Sequence, residues 1–146
     1  MQLLNRTLRY SVNLAGAACG CNVAFYLTSL HQNAQPSKCG DYYCDACSVC
    51  GVACAEIDIQ EANLYAFHST THLWDDPGGR VGLRAGGKDN YGPGGLCIDT
   101  RKAFEVAVSF PLDQWGHLMA INVTLSQRGS SCPISGSVGH YLSKRR

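Results

Sequence analysis

Cys54-Ala-Glu-Ile-Asp-Ile-Gln-Glu-Ala-Asn63 is the stretch around which the rest of the chain is read. Glu56, Asp58 and Gln60 alternate with Ile57 and Ile59, the period-two pattern of a strand with one polar side and one core-facing side. Three acids fall within six residues, a density of negative charge that a plain surface strand does not need. Carboxylates this close raise one another's pKa, which costs stability unless something uses the shifted proton. On strict alternation Glu61 points away from Glu56 and Asp58, so bringing it to their side requires a β-bulge or a sharp strand end. The same spacing also suits an edge strand that ends in a charged turn.

Working outward, Leu8, Tyr10, Val12 and Leu14 alternate with Arg9, Ser11 and Asn13, which predicts a half-buried strand closed by turns at Gly16 and Gly20. A second strand is expected from Asn22 to Ser29, with Val23, Phe25 and Leu27 inward and Asn22, Ala24, Tyr26 and Thr28 outward. Asn22 and Tyr26 then either line a polar groove or face solvent. Residues 31–51 read as loop, and Tyr65 to Trp74 as a strand with His68, Thr70 and His72 on one face. Asp75 to Gly95 is so rich in glycine that turns and loop are expected there. Phe104 to Phe110 alternates strongly, and Leu118 to Leu125 gives the last strand signal. Short strands, glycine turns and no helical periodicity predict an all-β chain, a β-sandwich or jelly roll. A length of 146 residues with 45% apolar content suits one core, hence a single domain over residues 1–146.

A net charge of +1 argues against nucleic acid as a partner, and no apolar run reaches the length of a membrane span. The basic end Ser143-Lys-Arg-Arg146 reads as a frayed terminus. The first ten residues lack the order of a signal peptide. Nine cysteines and the sequons Asn5-Arg-Thr and Asn122-Val-Thr, with Asn5 and Asn122 as glycan acceptors, are nevertheless features of secreted proteins. The expectation is an extracellular protein whose chain here is partial or processed. Cys44, Cys47, Cys50 and Cys54 have the C-x2-C-x2-C-x3-C spacing of an iron–sulfur site, and the same thiolates could hold zinc. In a chain with sequons the oxidising compartment favours disulfides instead, and no metal or other cofactor is then expected.

Two carboxyls a few ångströms apart, one ionised and one neutral, are what retaining glycoside hydrolysis needs, at a separation of roughly 5–5.5 Å. The wider sequence carries a resemblance in the same direction. Glu56-Ile-Asp-Ile-Gln-Glu-Ala-Asn63 closely resembles the Glu-x-Asp-x-Trp-Glu-Ala-Asn signature of family-seven glycoside hydrolases, the cellobiohydrolases and endoglucanases that cut β-1,4-glucan. Leu3-Leu-Asn-Arg-Thr, Cys19-Gly-Cys-Asn-Val-Ala-Phe-Tyr, Tyr43-Cys-Asp-Ala-Cys47 and Tyr91-Gly-Pro-Gly are similar to further segments of that family, in the same order from Leu3 to Phe110.

The resemblance implies a concanavalin-like β-sandwich, incomplete at this length, that hydrolyses β-1,4-glucosidic bonds in cellulose-type polysaccharide. It implies Glu56 as nucleophile, Glu61 as acid/base and Asp58 as the residue that holds Glu56 by a hydrogen bond. His72 would lie on the leaving-group side, and Asn22, Tyr26 and Asp45 would contact sugar. Cys44 and Cys54 would form a disulfide. The partner is then a β-glucan polysaccharide, met by a monomer. Gln60 stands where the motif has tryptophan, the loop before Cys54 is short, and the partner expected for Cys19 is missing. A short loop opens the cleft and favours internal cutting. Family-sixteen enzymes share the Glu-x-Asp-x-x-Glu pattern, so a β-1,3-glucanase is one alternative. A non-catalytic carbohydrate-binding relic is another, and an iron–sulfur or zinc protein through Cys44 to Cys54 a third. An incomplete sandwich would expose sheet edges and apolar surface and lower solubility.

Overall fold

The structure, a computed structural model, describes residues 2–30, 36–73, 76–87 and 89–139. Its strands are β1 (Thr7–Val12), β2 (Val23–Thr28), β3 (Glu56–Ala62), β4 (Ala66–Leu73), β5 (Asp76–Gly86), β6 (Tyr91–Gly92), β7 (Ile98–Asp99), β8 (Phe104–Ser109), β9 (Ile121–Ser126) and β10 (Ile134–Val138). No helix occurs among the described residues. One antiparallel sheet has the order β1-β8-β9-β10 and the other β2-β3-β4-β5, while β6 and β7 make a short parallel pair. The chain is therefore an all-β sandwich. The basic end at Ser143 and residues Trp74 and Asp75 lie outside the described residues.

Alternation in β8 and β9 builds one wall of the core. Phe104, Val106 and Val108 face inward beside Ile121, Val123 and Leu125, and their neighbours in sequence face out. Ile59, Phe67, Leu83 and Ala85 from the other sheet meet them. Burying each such Val, Leu or Phe side chain contributes about 1.5–3 kcal/mol, as an upper estimate against an extended chain. This apolar layer is what holds the acidic strand flat against a fixed support.

Two regions depart from the sequence reading. Residues 76–86, expected as turns, form the long strand β5 against β4. Leu83 and Ala85 supply inward side chains, and Gly82 just before them serves close approach rather than turning: a Cβ on Gly136 of β10 would overlap the Gly82 carbonyl of β5. The two sheets meet backbone to backbone at that point. Strand β10 was not expected at all, because Ile134-Ser-Gly-Ser-Val138 has little apolar alternation. Its register with β9, Ile134 opposite Leu125 and Val138 opposite Ile121, supplies the order that local propensity lacks.

Disulfides join Cys39 to Cys50, Cys44 to Cys54 and Cys97 to Cys132. Three of the four sulfurs in the C-x2-C-x2-C-x3-C run are thereby used, and Cys47 is a free, exposed thiol. This overturns the iron–sulfur and zinc alternative, since a cluster or tetrahedral site on that run needs all four thiolates together. Cys19 and Cys21 are also free and exposed.

Candidate active site

Strand β3 lies between β2 and β4, and its register decides which acids share a face. Glu56 stands opposite Thr28 of β2 and His72 of β4, and Asp58 opposite Tyr26 and Thr70. Beyond Asp58 the register slips by one residue against both neighbours, after which Glu61 pairs with Ala24 and His68. The slip is a β-bulge at Ile59 and Gln60. Directly paired residues project to the same side of a sheet, so Glu56, Asp58 and Glu61 all lie on the outer face. Ile59 and Gln60 both turn inward, to 0% and 1% exposure. Strict alternation had placed Gln60 beside Glu56 and Asp58; the extra residue reverses that.

Neighbouring groups hold each acid differently. The Ala46 N–H donates to Glu56 Oε2 at 3.0 Å, from the loop braced by the Cys44–Cys54 and Cys39–Cys50 bridges. Asn22 Nδ2 donates to Glu61 Oε1 at 3.1 Å. Asp58 Oδ2 meets His72 Nε2 at 3.0 Å, and no hydrogen bond joins Asp58 to Glu56 among the described residues. Burial pushes the Asp58 carboxyl up to about 6, the charges of Glu56 and Glu61 add to the rise, and His72 opposes it. A carboxyl so placed keeps its proton into the mildly acidic range and can donate to an ionised neighbour.

His72 stands at the Glu56 end of the strand, and His68 is the histidine opposite Glu61. The antiparallel register requires this, since residues further along β4 meet residues earlier in β3. Among the described residues His72 Nδ1 is buried without a hydrogen-bond partner, and the ring backs onto Gly79, whose φ is +59° and where a Cβ would overlap that nitrogen. Tyr26 lies beside Asp58, and its hydroxyl accepts from Tyr43 at 3.2 Å. Burial, that hydrogen bond and the nearby Asp45 raise the Tyr43 hydroxyl's pKa, so it stays protonated as a donor. Asp45 is only 5% exposed, and its Oδ1 accepts the Val49 N–H at 3.0 Å, which makes it a brace of the loop that carries Ala46.

Asn5 sits in an exposed turn with φ of +55°, and Asn122 is the second residue of β9, on the outer face of the other sheet, tied to Ser109 and Ser137. From the sequence, neither the Ala46 amide nor the Tyr43 hydroxyl was expected in the site, and Gln60 was expected on the outer face. A backbone donor has no sequence signature, but the displacement of Gln60 follows from the bulge that Glu61 demanded.

No protein-family model matches the chain. Among curated proteins it is 28% identical to Endoglucanase 1 of Pyricularia oryzae over 174 aligned positions, which take in 88% of this chain and 40% of that protein. It is 32% identical to Endoglucanase type C of Fusarium oxysporum, over 66% of this chain and 27% of the relative. Among solved structures, a GH7 family cellobiohydrolase from Daphnia pulex superposes with a TM-score of 0.67 at 21% identity, over 96% of this chain and 49% of the other. The chain is similar in sequence to curated endoglucanases and in fold to family-seven cellulases. The native endocellulase of Humicola insolens gives the same picture, with a TM-score of 0.65 and 23% identity over 93% of this chain and 47% of that one. The family-seven-like chain thus spans less than half the length of each of these proteins, and the part it spans includes the acidic strand.

Proposed function

We propose that this chain hydrolyses β-1,4-glucosidic bonds of cellulose-type polysaccharide with retention of configuration, outside the cell, as the relatives' names as endoglucanases suggest for the matched region. The observation that carries the reading is the bulge at Ile59 and Gln60, which turns Glu61 to the same face as Glu56 and Asp58. In the first step a Glu56 oxygen attacks the anomeric carbon while Glu61 gives its proton to the departing glycosidic oxygen, so one C–O bond breaks as the glycosyl ester forms. In the second, Glu61 takes a proton from water, the hydroxyl adds to the anomeric carbon, and the Glu56 carboxylate leaves. The Ala46 N–H holds the nucleophile in place, and the Asn22 amide fixes Glu61. Asp58, bonded to His72, supplies a proton close to both.

Tyr26 offers a ring at 38% exposure on the same face, suited to stacking on sugar. Asp45 would act on the substrate only through the loop it braces. The test is chromophore release from an aryl β-cellobioside by the oxidised protein, with Glu56→Gln beside it. Turnover is expected to fall by about a thousandfold or more in the variant. Retained turnover would sink the assignment of Glu56. A folded protein that binds cello-oligosaccharide without cleaving it would support the non-catalytic reading instead.

A further inference from the structure

Gln60 is buried to 1% exposure although its amide is polar at both ends, and a buried amide persists only when its groups are bonded. Its Oε1 accepts the Tyr10 hydroxyl at 3.2 Å, and its Nε2 donates to the Val23 carbonyl at 3.0 Å. Tyr10 belongs to β1 in the opposite sheet, and its ring meets Phe25 of β2 edge to face at 4.9 Å. Val23 follows Asn22, whose amide bonds Glu61 on the outer face. One inward side chain at the bulge is therefore tied to the facing sheet on one side. On the other it is tied to the strand that fixes the acid.

We propose that Tyr10 and Gln60 form a positioning strut through the sandwich that holds the bulge and thereby aims Glu61. The inference rests on the functional reading above for what Glu61 does, but the strut itself is a matter of geometry. Without the amide, Ile59 is still anchored by its apolar side chain, while the inward turn of residue 60 loses both of its directional bonds. The register slip is then free to shift toward Glu61, and Asn22 no longer meets that carboxylate at one place. Gln60 touches neither substrate nor reacting atoms in this account. Its effect on turnover passes through Glu61 alone.

That route sets the test. Proton donation by Glu61 matters for a poor leaving group and little for a good one, so phenyl β-cellobioside and 2,4-dinitrophenyl β-cellobioside separate mispositioning from general damage. Gln60→Leu is expected to lower kcat/KM for the phenyl substrate by about tenfold or more, and for the dinitrophenyl substrate by less than about threefold. Tyr10→Phe, which keeps the ring against Phe25, is expected to show the same pattern more weakly. Equal losses on both substrates, or none on either, overturn the strut.

A wild-type protein inactive toward even the dinitrophenyl substrate would remove the functional reading and leave the strut to a second measurement. Backbone amides from Ile59 to Ala62 should then exchange about tenfold faster in Gln60→Leu, with those of β8 and β9 unchanged. Unchanged exchange at the bulge overturns the proposal.

Discussion

Asp58 and Asp99 are equally buried, each 8% exposed, yet their carboxyls move in opposite directions. Asp58 faces two other acids and one histidine, and burial with that like charge pushes it up to about 6. Asp99 sits after the glycine turn at residues 92–95, where Arg101 clasps it through Nε at 2.8 Å and Nη2 at 2.9 Å and the Gly94 N–H adds a third bond at 2.8 Å. The Arg101 hydrogen bonds, with the Gly94 amide, hold its carboxyl well below the usual range. Solvent exposure alone therefore does not set the direction in which a carboxyl moves. Burial beside like charge raises Asp58, and hydrogen-bond donors lower Asp99.

The sharpest way to break this contrast is to remove the charge at each site and read turnover. Asp58→Asn is expected to lower turnover of an aryl β-cellobioside by about a hundredfold, because proton exchange with Glu56 and Glu61 is lost while the shape is kept. Asp99→Asn should leave turnover per folded molecule unchanged. Comparable losses at both would mean that Asp58 serves the fold alone.

The next effect is on stability, and the roles exchange. Asp99→Ala strands the Gly94 N–H and frees a loop also pinned by Gln127, whose amide bonds the Asp99 N–H and carbonyl. A loss of about 2–3 kcal/mol is expected in urea unfolding. Asp58→Ala should cost less, because it relieves repulsion from Glu56 and Glu61 as it removes the His72 contact.

How far the sequence could be read follows the same division. Alternation made β1, β8 and β9 legible, because a two-residue period is a direct record of one buried face. It failed at β5 and β10, where Gly82 and Gly136 are fixed by contact between two backbones distant in sequence. In the site, bringing three acids within six residues to one face could be seen to need a bulge or a sharp strand end, and the structure has the bulge. Which partner each acid takes could not, since the Ala46 amide reaches Glu56 only after two disulfides have folded the loop. Asp99, between the glycine-rich run that ends at Gly95 and the strand signal from Phe104, gave no sign of its ion pair.

A smaller effect is the pH dependence of stability, which should slope in opposite senses. Asp58 rises from an ordinary 3.8 to about 6 on folding, so its contribution is complete below 3.8 and lost as pH climbs through 6. Asp99 is lowered, so its contribution is present above its ordinary value and lost as pH falls below it. Against wild type, Asp58→Asn should gain ground between pH 4 and 6, by about 1–2 kcal/mol, whatever constant cost the altered His72 contact adds. The deficit of Asp99→Asn should shrink only in stronger acid. Parallel slopes in urea midpoints at pH 3, 5 and 7 would contradict the assignment of causes at one site or the other.

The smallest effect concerns Arg101. Its side chain is 64% exposed, and a solvated guanidinium retains most of its hydration when its partner is removed. Arg101→Gln takes away the two side-chain bonds but leaves Asp99 the Gly94 N–H, the Arg101 backbone N–H at 3.3 Å and Lys102 at 3.8 Å. A loss well short of that for Asp99→Ala is expected in urea unfolding, with turnover unaffected. The asymmetry arises because the acid is buried and its partner is not, so removing the acid strands donors in the protein while removing the base strands an acceptor that still has others. A loss as large as that of Asp99→Ala would mean the guanidinium itself, and not the amide at Gly94, holds the glycine turn closed.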